Sequence, residues 1–393
     1  MAKTPNNDAK NDIAKQVDQL QNSMCELSDR IHSHPELALK EYEAVKWLTS
    51  ELQEHGFTVE IGVGGLETAF RAAYEGASQK PVACLVVEYD ALPELGHACG
   101  HNVSGVASVA AAIALSKVMS KYQLQGSIVV VGTPAEEYYA GKVTLIEAGV
   151  FEDVDFAMMV HMYDRNEASP VFLALDALTF TFKGKPAHAA GAPHEGINAL
   201  NAVRLTFAGI DALRQHVREE VRIHGIVTEG GDAANIVPEK ASANVYVRAR
   251  ERRYLDEVKE KVKNCARGAA IATGAELEIG SFEQSNDNLI TNPVLIELFR
   301  KSWKNFVSEI HETGPTVGST DMGNVSHVVP SIHPMVAMAP KGTVLHTREF
   351  ADAARSEKAY EALSIASKTM GMTVVDVLTN SAVVDELRLD TDR

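Results

Sequence analysis

The stretch Ser127-Ile-Val-Val-Val-Gly-Thr-Pro-Ala-Glu136-Glu137 is an apolar run that ends in two adjacent carboxylates. A short apolar run bounded by glycine and proline predicts a buried strand, with both glutamates just beyond its end. Upstream lies a second polar cluster, His97-Ala-Cys99-Gly-His101-Asn. Thiolate, imidazole and carboxylate groups are ligands of borderline-soft ions such as Zn²⁺, and a carboxylate beside a ligating one can take a proton from water. The two clusters favour a hydrolase with a pair of divalent metal ions.

Strand-like and helical runs alternate around this stretch. The strand-like runs are 82–87, 128–132 and 156–161, and a helical run occupies 103–122. This alternation predicts an α/β fold with a mostly parallel sheet covered by helices. Glu88 and Asp90 follow the first strand, the glutamate pair follows the second, and His161 closes the third. Because open α/β sheets bind ligands at the carboxyl ends of their strands, we expect the site at that edge.

The pattern changes between residues 177 and 290, where strand-like and helical segments follow one another in the order β-α-β-β-α-β. That order is typical of a ferredoxin-like unit. A helix, a glycine-rich loop at Gly318-Ser-Thr-Asp321, an apolar strand and a C-terminal helix then return to the first pattern. We therefore predict a discontinuous catalytic domain, residues 1–176 and 291–393, with an inserted lid or dimerisation domain at 177–290.

The composition is that of a soluble enzyme. A chain of 393 residues is longer than a single hydrophobic core usually holds, so we expect two domains, and the hydrophobic content of 45% is enough to fill both cores. The net charge of -16, without a long block of like charge, argues against a nucleic-acid partner. The cysteines have no paired spacing, which indicates reduced thiols in a cytoplasmic protein. We expect no signal peptide and no membrane association, and we expect the polar first fifteen residues to be frayed.

Several motifs together carry a resemblance to a known family. They are Glu88-Tyr-Asp90-Ala-Leu-Pro, His97-Ala-Cys99-Gly-His101-Asn, Thr133-Pro-Ala-Glu136-Glu137, Pro186-Ala-His188, Asn235-Ile-Val-Pro, Val247-Arg248, Gly318-Ser-Thr-Asp321 and His346-Thr347. Their order resembles that of the di-metal aminoacylase, carnosinase and carboxypeptidase G family. The match is most similar to its amidohydrolase branch, which includes aminobenzoyl-glutamate hydrolases and aminoacylase-like dipeptidases. The resemblance covers nearly the whole chain.

The resemblance implies two divalent metal ions per subunit, Zn²⁺ or Mn²⁺ or else Co²⁺. Cys99 stands where this branch has a thiolate that bridges the two ions. His101 and His161 would complete one metal site, and Glu137 and His346 would complete the other.

Catalytic and substrate-binding roles are also implied by the resemblance. Glu136 would be the general base that deprotonates the water between the ions and later protonates the leaving amine. Asp90 would orient a metal ligand. His188 would stabilise the oxyanion, usually in the active site of a partner subunit, which implies a homodimer. Asn235 and Arg248 would hold the substrate, with Arg248 on its free carboxylate.

Two positions depart from the pattern of many relatives. Asn102 replaces an aspartate common in the indole-acetyl group, and Glu88 stands where many relatives have histidine or aspartate. Single residues also have simpler interpretations: Cys99 as a small buried side chain, His161 as a core histidine, and Asp321 as a residue that holds its loop.

Three functions remain open from the sequence. The leading one is metal-dependent hydrolysis of an amide bond in an N-acyl amino acid or a small dipeptide-like substrate. The second is a true dipeptidase or carboxypeptidase that requires a free amine. The third is a catalytically silent relative that binds a metabolite or a partner, against which the intact set of candidate ligands and base argues.

Overall fold

The protein, described by a computed structural model over residues 5–314 and 318–390, divides into two compact units. The first unit comprises Met1–Val171, Leu289–Val317 and Asp321–Arg393, and the second comprises Phe172–Asn288 and Gly318–Thr320. The chain thus leaves the first unit at Phe172 to form most of the second unit, returns at Leu289, and contributes Gly318–Thr320 to the second unit before its last segment.

The first part of the first unit contains the following helices and strands in chain order: α1 (Pro5–Ser33), α2 (Tyr42–Glu54), β1 (Thr58–Ile61), β2 (Phe70–Glu75), β3 (Val82–Val87), α3 (His101–Tyr122), β4 (Ser127–Gly132), α4 (Gly141–Glu147), β5 (Phe156–Met158) and β6 (His161–Tyr163). The second unit contains β7 (Ala174–Lys183), α5 (Ala199–Leu213), β8 (Arg222–Glu229), β9 (Lys240–Ala249), α6 (Arg252–Thr273) and β10 (Glu276–Gly280). The return to the first unit contains α7 (Pro293–Trp303), α8 (Met322–Ser326), β11 (Ser331–Ile332), β12 (Met335–Ala337), α9 (Arg348–Ala353), α10 (Glu357–Leu378) and α11 (Ser381–Asp390).

The central sheet has the strand order β1-β2-β4-β3-β5-β11. Strands β4, β3, β5 and β11 are parallel, and β1 and β2 add an antiparallel edge. Every residue of β3 and β4 is buried, as expected for parallel strands covered on both faces. Val87 pairs with Gly132, so the two strands end at the same level and their following residues leave the sheet together. The predicted α/β class with a mostly parallel sheet is confirmed.

The N-terminal segment differs from the expectation of a frayed end. Helix α1 already begins at Pro5, and Ala9, Ile13 and Val17 are buried in the main core. Their spacing of four residues puts them on one helix face, so a sparse apolar stripe is enough to pack the helix. Because most of the residues between them are polar, the sequence did not indicate this stripe.

The strand predicted at 156–161 ends earlier in the structure. Strand β5 stops at Met158, and His161 begins β6, which pairs with β12 in a separate parallel pair. Helix α3 has the length and composition of a membrane span, but 89% of its apolar window is buried inside the protein. Burial of that kind is typical of the core helix of a globular fold.

The second unit has an antiparallel sheet in the order β10-β7-β9-β8, and α5 and α6 pack against it. The chain order β7-α5-β8-β9-α6-β10 is the predicted β-α-β-β-α-β arrangement. Strand β7 begins at Ala174, before residue 177, where the inserted domain was predicted to start. Strand β8 lies at the edge of the sheet, and most of its residues are exposed.

Candidate metal centre

The turn between β3 and α3 places Cys99 and His101 side by side. Gly100 adopts a φ of 78°, and a Cβ atom there would lie 2.9 Å from the Cβ of Met162. Only glycine satisfies both constraints without strain. The turn leads directly into α3, whose first residue is the fully buried His101. The spacing Cys-Gly-His therefore reflects a tight turn onto the start of a helix.

The loop after β4 presents Glu136 and Glu137, and two buried carboxylates hold its backbone. Glu41 accepts a hydrogen bond from the amide of Ala135 at 2.9 Å, and Ala135 has a positive φ of 63°. Asp90 accepts a hydrogen bond from the amide of Glu137 at 3.0 Å. A left-handed alanine is strained and persists only where its surroundings hold it.

Two groups of candidate ligands share one residue. The ligand atoms of Cys99, His101 and His161 lie within 4.8 Å of one another, and so do those of Cys99, Glu137 and His346. The Cys99 thiol lies 3.2 Å from Nε2 of His346, and Glu137 Oε2 lies 3.5 Å from the same nitrogen. The position of Cys99 in both groups is that of a ligand shared by two ions.

The base candidate and the backbone around His346 complete this arrangement. Glu136 offers an oxygen within the same 4.8 Å of His101 and Glu137. His346 has a positive φ of 61°, and its amide donates to the carbonyl of Ala98 at 3.1 Å. This hydrogen bond joins His346 to the turn that carries Cys99. It holds the strained backbone of His346 in a position where the imidazole ring lies beside the Cys99 thiol.

Hydrogen bonds to Nδ1 determine which ring nitrogen of the buried His101 and His161 has no proton when the ring is neutral. Nδ1 of His101 lies 3.0 Å from the carbonyl oxygen of Asp90 and 3.1 Å from its carboxylate, so it carries the proton. Nδ1 of His161 donates to the carbonyl of Met162 at 2.8 Å. In the neutral form of both rings Nε2 is therefore the lone-pair nitrogen, and carboxylate and carbonyl partners orient metal-binding histidines in this way.

Burial and neighbouring charges shift the pKa values of these groups. Burial raises the pKa of Cys99, Glu136 and Glu137, and the crowded carboxylates around Glu136 raise its pKa further. Burial alone would lower the pKa of His101, but the carboxylates of Glu88 and Asp90 raise it well above its usual value. Burial lowers the pKa of His161 to about 4.

The donor set fits divalent metal ions. It combines a thiol, imidazole nitrogens and carboxylate oxygens, which Zn²⁺ and its neighbours accept. Nε2 of His101 and Oε1 of Glu137 are buried and have no hydrogen-bond partner among the described residues. Buried polar atoms are normally satisfied, so these two atoms mark places where a ligand would bind.

The remaining candidates, His188, Asn235 and Arg248, lie in the second unit. His188 is exposed, and its Nδ1 accepts hydrogen bonds from the amides of Ala190 and Gly191 at 3.2 and 3.0 Å. The proton is therefore on Nε2, which remains free to donate. The amide of Ala189 donates to the carbonyl of Asn235, so the two predicted residues are neighbours.

Arg248 lies in a different part of the second unit. Its Nη1 donates to the hydroxyl of Ser319 at 3.2 Å, and its guanidinium lies 5.6 Å from the ring centre of Tyr246. Its Nε is buried without a hydrogen-bond partner within the described ranges. The side chain thus keeps an unused donor, as a group that binds a carboxylate would.

Two buried residues around the centre, Glu41 and Lys142, were not predicted from the sequence. Glu41 and Lys142 have no motif that distinguishes them from surface charges, yet neither is exposed at all. Asp321 accepts hydrogen bonds from the amide and the ammonium group of Lys142, at 3.0 and 2.6 Å, in line with its expected structural role. Asn102 donates to the hydroxyl of Ser28 in α1, so it joins helices within the core.

Comparison with known proteins identifies the family to which this chain belongs. The sequence profile of Peptidase family M20/M25/M40 matches residues 84–368. The chain is 36% identical over 390 residues to the Xaa-Arg dipeptidase of Mus musculus, which covers 95% of this chain and 90% of the mouse protein. It is 29% identical over 440 residues to a p-aminobenzoyl-glutamate hydrolase chain of Escherichia coli (strain K12), with 92% and 90% covered.

A solved structure with the same fold is that of the Bacillus subtilis YXEP protein, a dinuclear metal binding peptidase of the M20 family. It has a TM-score of 0.70 and 20% identity, and covers 92% of this chain and 99% of its own. The α/β fold and its cluster of ligand-type side chains define a hydrolase of amide or peptide bonds. The chain belongs to Peptidase family M20/M25/M40, as the motif resemblance implied.

Metal uptake should release protons and should weaken as the pH falls. The raised pKa values leave Cys99 and His101 protonated near neutral pH, whereas His161, with a pKa of about 4, is already neutral. Ligands must lose their protons to bind an ion, so each of the first two should release one. Calorimetric titration of the metal-free protein with Zn²⁺, in buffers of different ionisation enthalpy, measures this release. Metal binding that is independent of pH would contradict the assignment.

Proposed function

We propose that this enzyme hydrolyses the amide bond of small dipeptide-like substrates or N-acyl amino acids with two divalent metal ions per chain. The observation that carries the proposal is the position of Cys99 in two ligand groups, with Glu136 beside both. The ions would be Zn²⁺ or Mn²⁺, or else Co²⁺, since geometry and availability decide among them more than affinity does. A cytoplasmic location is supported by four cysteines that are all free.

Each candidate catalytic residue has a separate role in the proposed hydrolysis. Bound ions would polarise the amide carbonyl and make a water molecule easier to deprotonate. Glu136 takes the proton of that water as its oxygen attacks the carbonyl carbon, and returns the proton to the nitrogen as the C–N bond breaks. Nε2 of His188 carries a free proton and can donate to the developing oxyanion. Asp90 holds both the His101 ring and the backbone of Glu137.

For the substrate, we propose a free α-carboxylate bound by Arg248 and a preference for a basic C-terminal residue. A guanidinium with an unused buried donor suits a carboxylate. The basic preference is supported by the 36% identity to the Xaa-Arg dipeptidase and by a net charge of -16, which attracts cations. A peptidase that requires a free amine remains the alternative to an amidohydrolase that accepts acylated amines.

We propose a homodimer that forms along β8. This strand is an unpaired sheet edge with exposed apolar side chains, Ile226 at 66% and Val227 at 48% exposure. An exposed edge of this kind is a template for pairing with another strand. Pairing of two β8 strands would bring the second units of two chains together. His188 would then act on a site in the partner subunit.

Two glutamine variants test the roles of the adjacent glutamates. Glu136→Gln should retain both ions but lose turnover by a factor on the order of a hundred to ten thousand, because it removes the proton acceptor. Glu137→Gln also replaces one carboxylate by an amide of the same size, but it should lose one bound ion as well as activity. Metal content by mass spectrometry and single-turnover hydrolysis are the measurements. The reverse pattern would mean that the two roles are exchanged.

A panel built on one dipeptide that ends in arginine tests the substrate assignment. Amidation of its carboxylate should lower kcat/KM, and Arg248→Lys should lower kcat/KM for the free carboxylate by about tenfold or more, since lysine cannot form the bidentate pair. The exposed Arg250 provides the control, because Arg250→Lys should change nothing. Equal rates for free and amidated peptides would exclude Arg248 from the site. Hydrolysis of the N-acetylated peptide separates an amidohydrolase from a peptidase that needs a free amine.

Mixing two inactive variants tests the shared site. His188→Ala should bind metal normally and hydrolyse poorly, because it loses an oxyanion donor. Mixed with Glu136→Gln, it should regain activity, because a heterodimer contains one site with both native residues. Size-exclusion chromatography and a subunit-exchange assay accompany the rate measurement. Absence of recovery despite exchange, or a fully active monomer, would show that His188 does not act across subunits.

A further inference from the structure

Arg248 and Glu283 carry opposite charges in the second unit, and neither forms an ion pair within the described ranges. Arg248 donates from Nη1 to the hydroxyl of Ser319 at 3.2 Å, and its buried Nε has no partner there. Glu283 is half-buried and accepts a hydrogen bond at Oε1 from the hydroxyl of Tyr246. Burial lowers the pKa of Arg248, and the negative charge of Glu283 opposes this shift. Neighbouring opposite charges that do not pair with each other suit a ligand that carries both charges.

Tyr246 lies between these two charged groups in the chain of contacts. It precedes Arg248 by two residues on β9, so both side chains project from the same face of the sheet. The centre of its ring is 5.6 Å from the guanidinium carbon of Arg248, and its hydroxyl binds Glu283. One rigid aromatic side chain thus contacts both groups and fixes the separation between their charges.

The loop after β10 is held so that Glu283 stays beside Tyr246. The hydroxyl of Ser281 donates to the carbonyl of Ala177 in β7 at 2.6 Å. The ring of Phe282 packs edge-to-face on Tyr246, with ring centres 4.9 Å apart and an interplanar angle of 65°. Aromatic pairs prefer this arrangement. Because both residues before Glu283 contact the sheet, its carboxylate is in place before a ligand binds.

An amino acid with a cationic side chain matches this pair of charges. Arginine and lysine carry an α-carboxylate and a side-chain cation at the two ends of a stem of three or four methylene groups. The α-carboxylate would bind Arg248, and the cation would bind Glu283. Each oxygen of a carboxylate accepts more than one hydrogen bond, so the bond from Tyr246 leaves Glu283 able to bind a cation. A planar guanidinium suits a carboxylate best.

Arg222 does not make this face suitable for an acidic residue. It lies directly opposite Arg248 in the pairing of β8 with β9. Its Nη1 donates to the carbonyls of Glu219 and Val221, at 2.5 and 3.0 Å, so its guanidinium is bound to the turn before β8. A dicarboxylic amino acid bound to Arg248 would also bring its second carboxylate near Glu283, and like charges repel each other.

We propose that Glu283 recognises the cationic side chain of the substrate's C-terminal residue, while Arg248 binds the α-carboxylate of the same residue. This inference rests on the function proposed above, and it assigns the basic preference to one side chain. Tyr246 is a positioning residue, since it acts through Glu283. The C-terminal residue would then be recognised at both of its charges by groups of the second unit.

Two dipeptides that differ only in their last side chain test the proposal. One ends in arginine, and the other ends in citrulline, whose neutral urea group has nearly the shape of guanidinium. Wild type should hydrolyse the arginine peptide with a kcat/KM at least about tenfold higher, the size expected for a hydrogen bond between charged groups. Glu283→Gln keeps the size of the side chain and removes its charge. It should lower kcat/KM for the arginine peptide to the value for the citrulline peptide, and leave the latter unchanged.

Glu276→Gln is the matched control, because it removes an exposed glutamate charge at the start of β10, the strand that Glu283 follows. It should preserve the wild-type ratio of the two kcat/KM values. Tyr246→Phe keeps the ring and removes the donor to Glu283, so it should lower this ratio by a smaller factor, and it serves if Glu283→Gln does not fold. Arg248→Lys should lower both values alike, because both peptides have the same α-carboxylate. Thermal unfolding establishes folding for each variant.

Three outcomes would overturn the proposal. A wild-type ratio in folded Glu283→Gln would exclude Glu283 from recognition of the cation. An equal fall of the ratio in Glu276→Gln would show that the preference arises from the overall negative charge. A wild-type protein that hydrolyses neither peptide would remove the proposed function itself and this inference with it, so the failure of the function is distinguished from the failure of Glu283.

Discussion

The ion pair between Lys142 and the carboxylates of Glu88 and Asp321 is the interaction on which the centre depends. Several acidic groups meet at one edge of the sheet, and Glu88, Asp90 and Asp321 among them are buried. Buried carboxylates without a counter-charge would become protonated, or their unpaired charges would destabilise the folded state. Burial alone would raise the pKa of Glu88, but the buried ammonium group lowers it to about 2 and so keeps this carboxylate ionised. The acidic cluster is thus compatible with a packed core before any metal ion is bound.

A second constraint is the positioning of backbone by buried carboxylates. Glu41 holds the strained Ala135, and Asp90 holds Glu137, so the loop after β4 is fixed from two sides. Asp90 also fixes the ring of His101. One carboxylate therefore couples the strand end, the helix start and the glutamate loop. Groups that must bind an ion or move a proton work best when they are held in place beforehand, because reorganisation then adds little to the barrier.

The two units carry different parts of the proposed chemistry. The candidate ligands and the base all belong to the first unit, whose parallel sheet gathers strand ends at one edge. His188, Asn235 and Arg248 belong to the second unit, where Nε of Arg248 is buried without a hydrogen-bond partner within the described ranges and Nδ1 of His188 accepts from backbone amides. With the proposed roles, the ligand cluster and the recognition groups belong to separate scaffolds, so that substrate preference could change without altering the hydrolytic groups.

Local sequence patterns were enough to predict the alternation of strands and helices, the inserted β-α-β-β-α-β unit and the types of side chain expected at the site. These features follow from local periodicity and from motifs at strand ends, which neighbouring residues specify. Three features became apparent from the folded chain alone: α1 begins at Pro5, His161 is the first residue of β6, and Glu41 and Lys142 are buried beside the centre. Lys142 reaches Asp321 across 179 positions of sequence. Whether a charged residue is solvated or buried depends on such distant partners, because burial is a property of packing that local sequence does not carry.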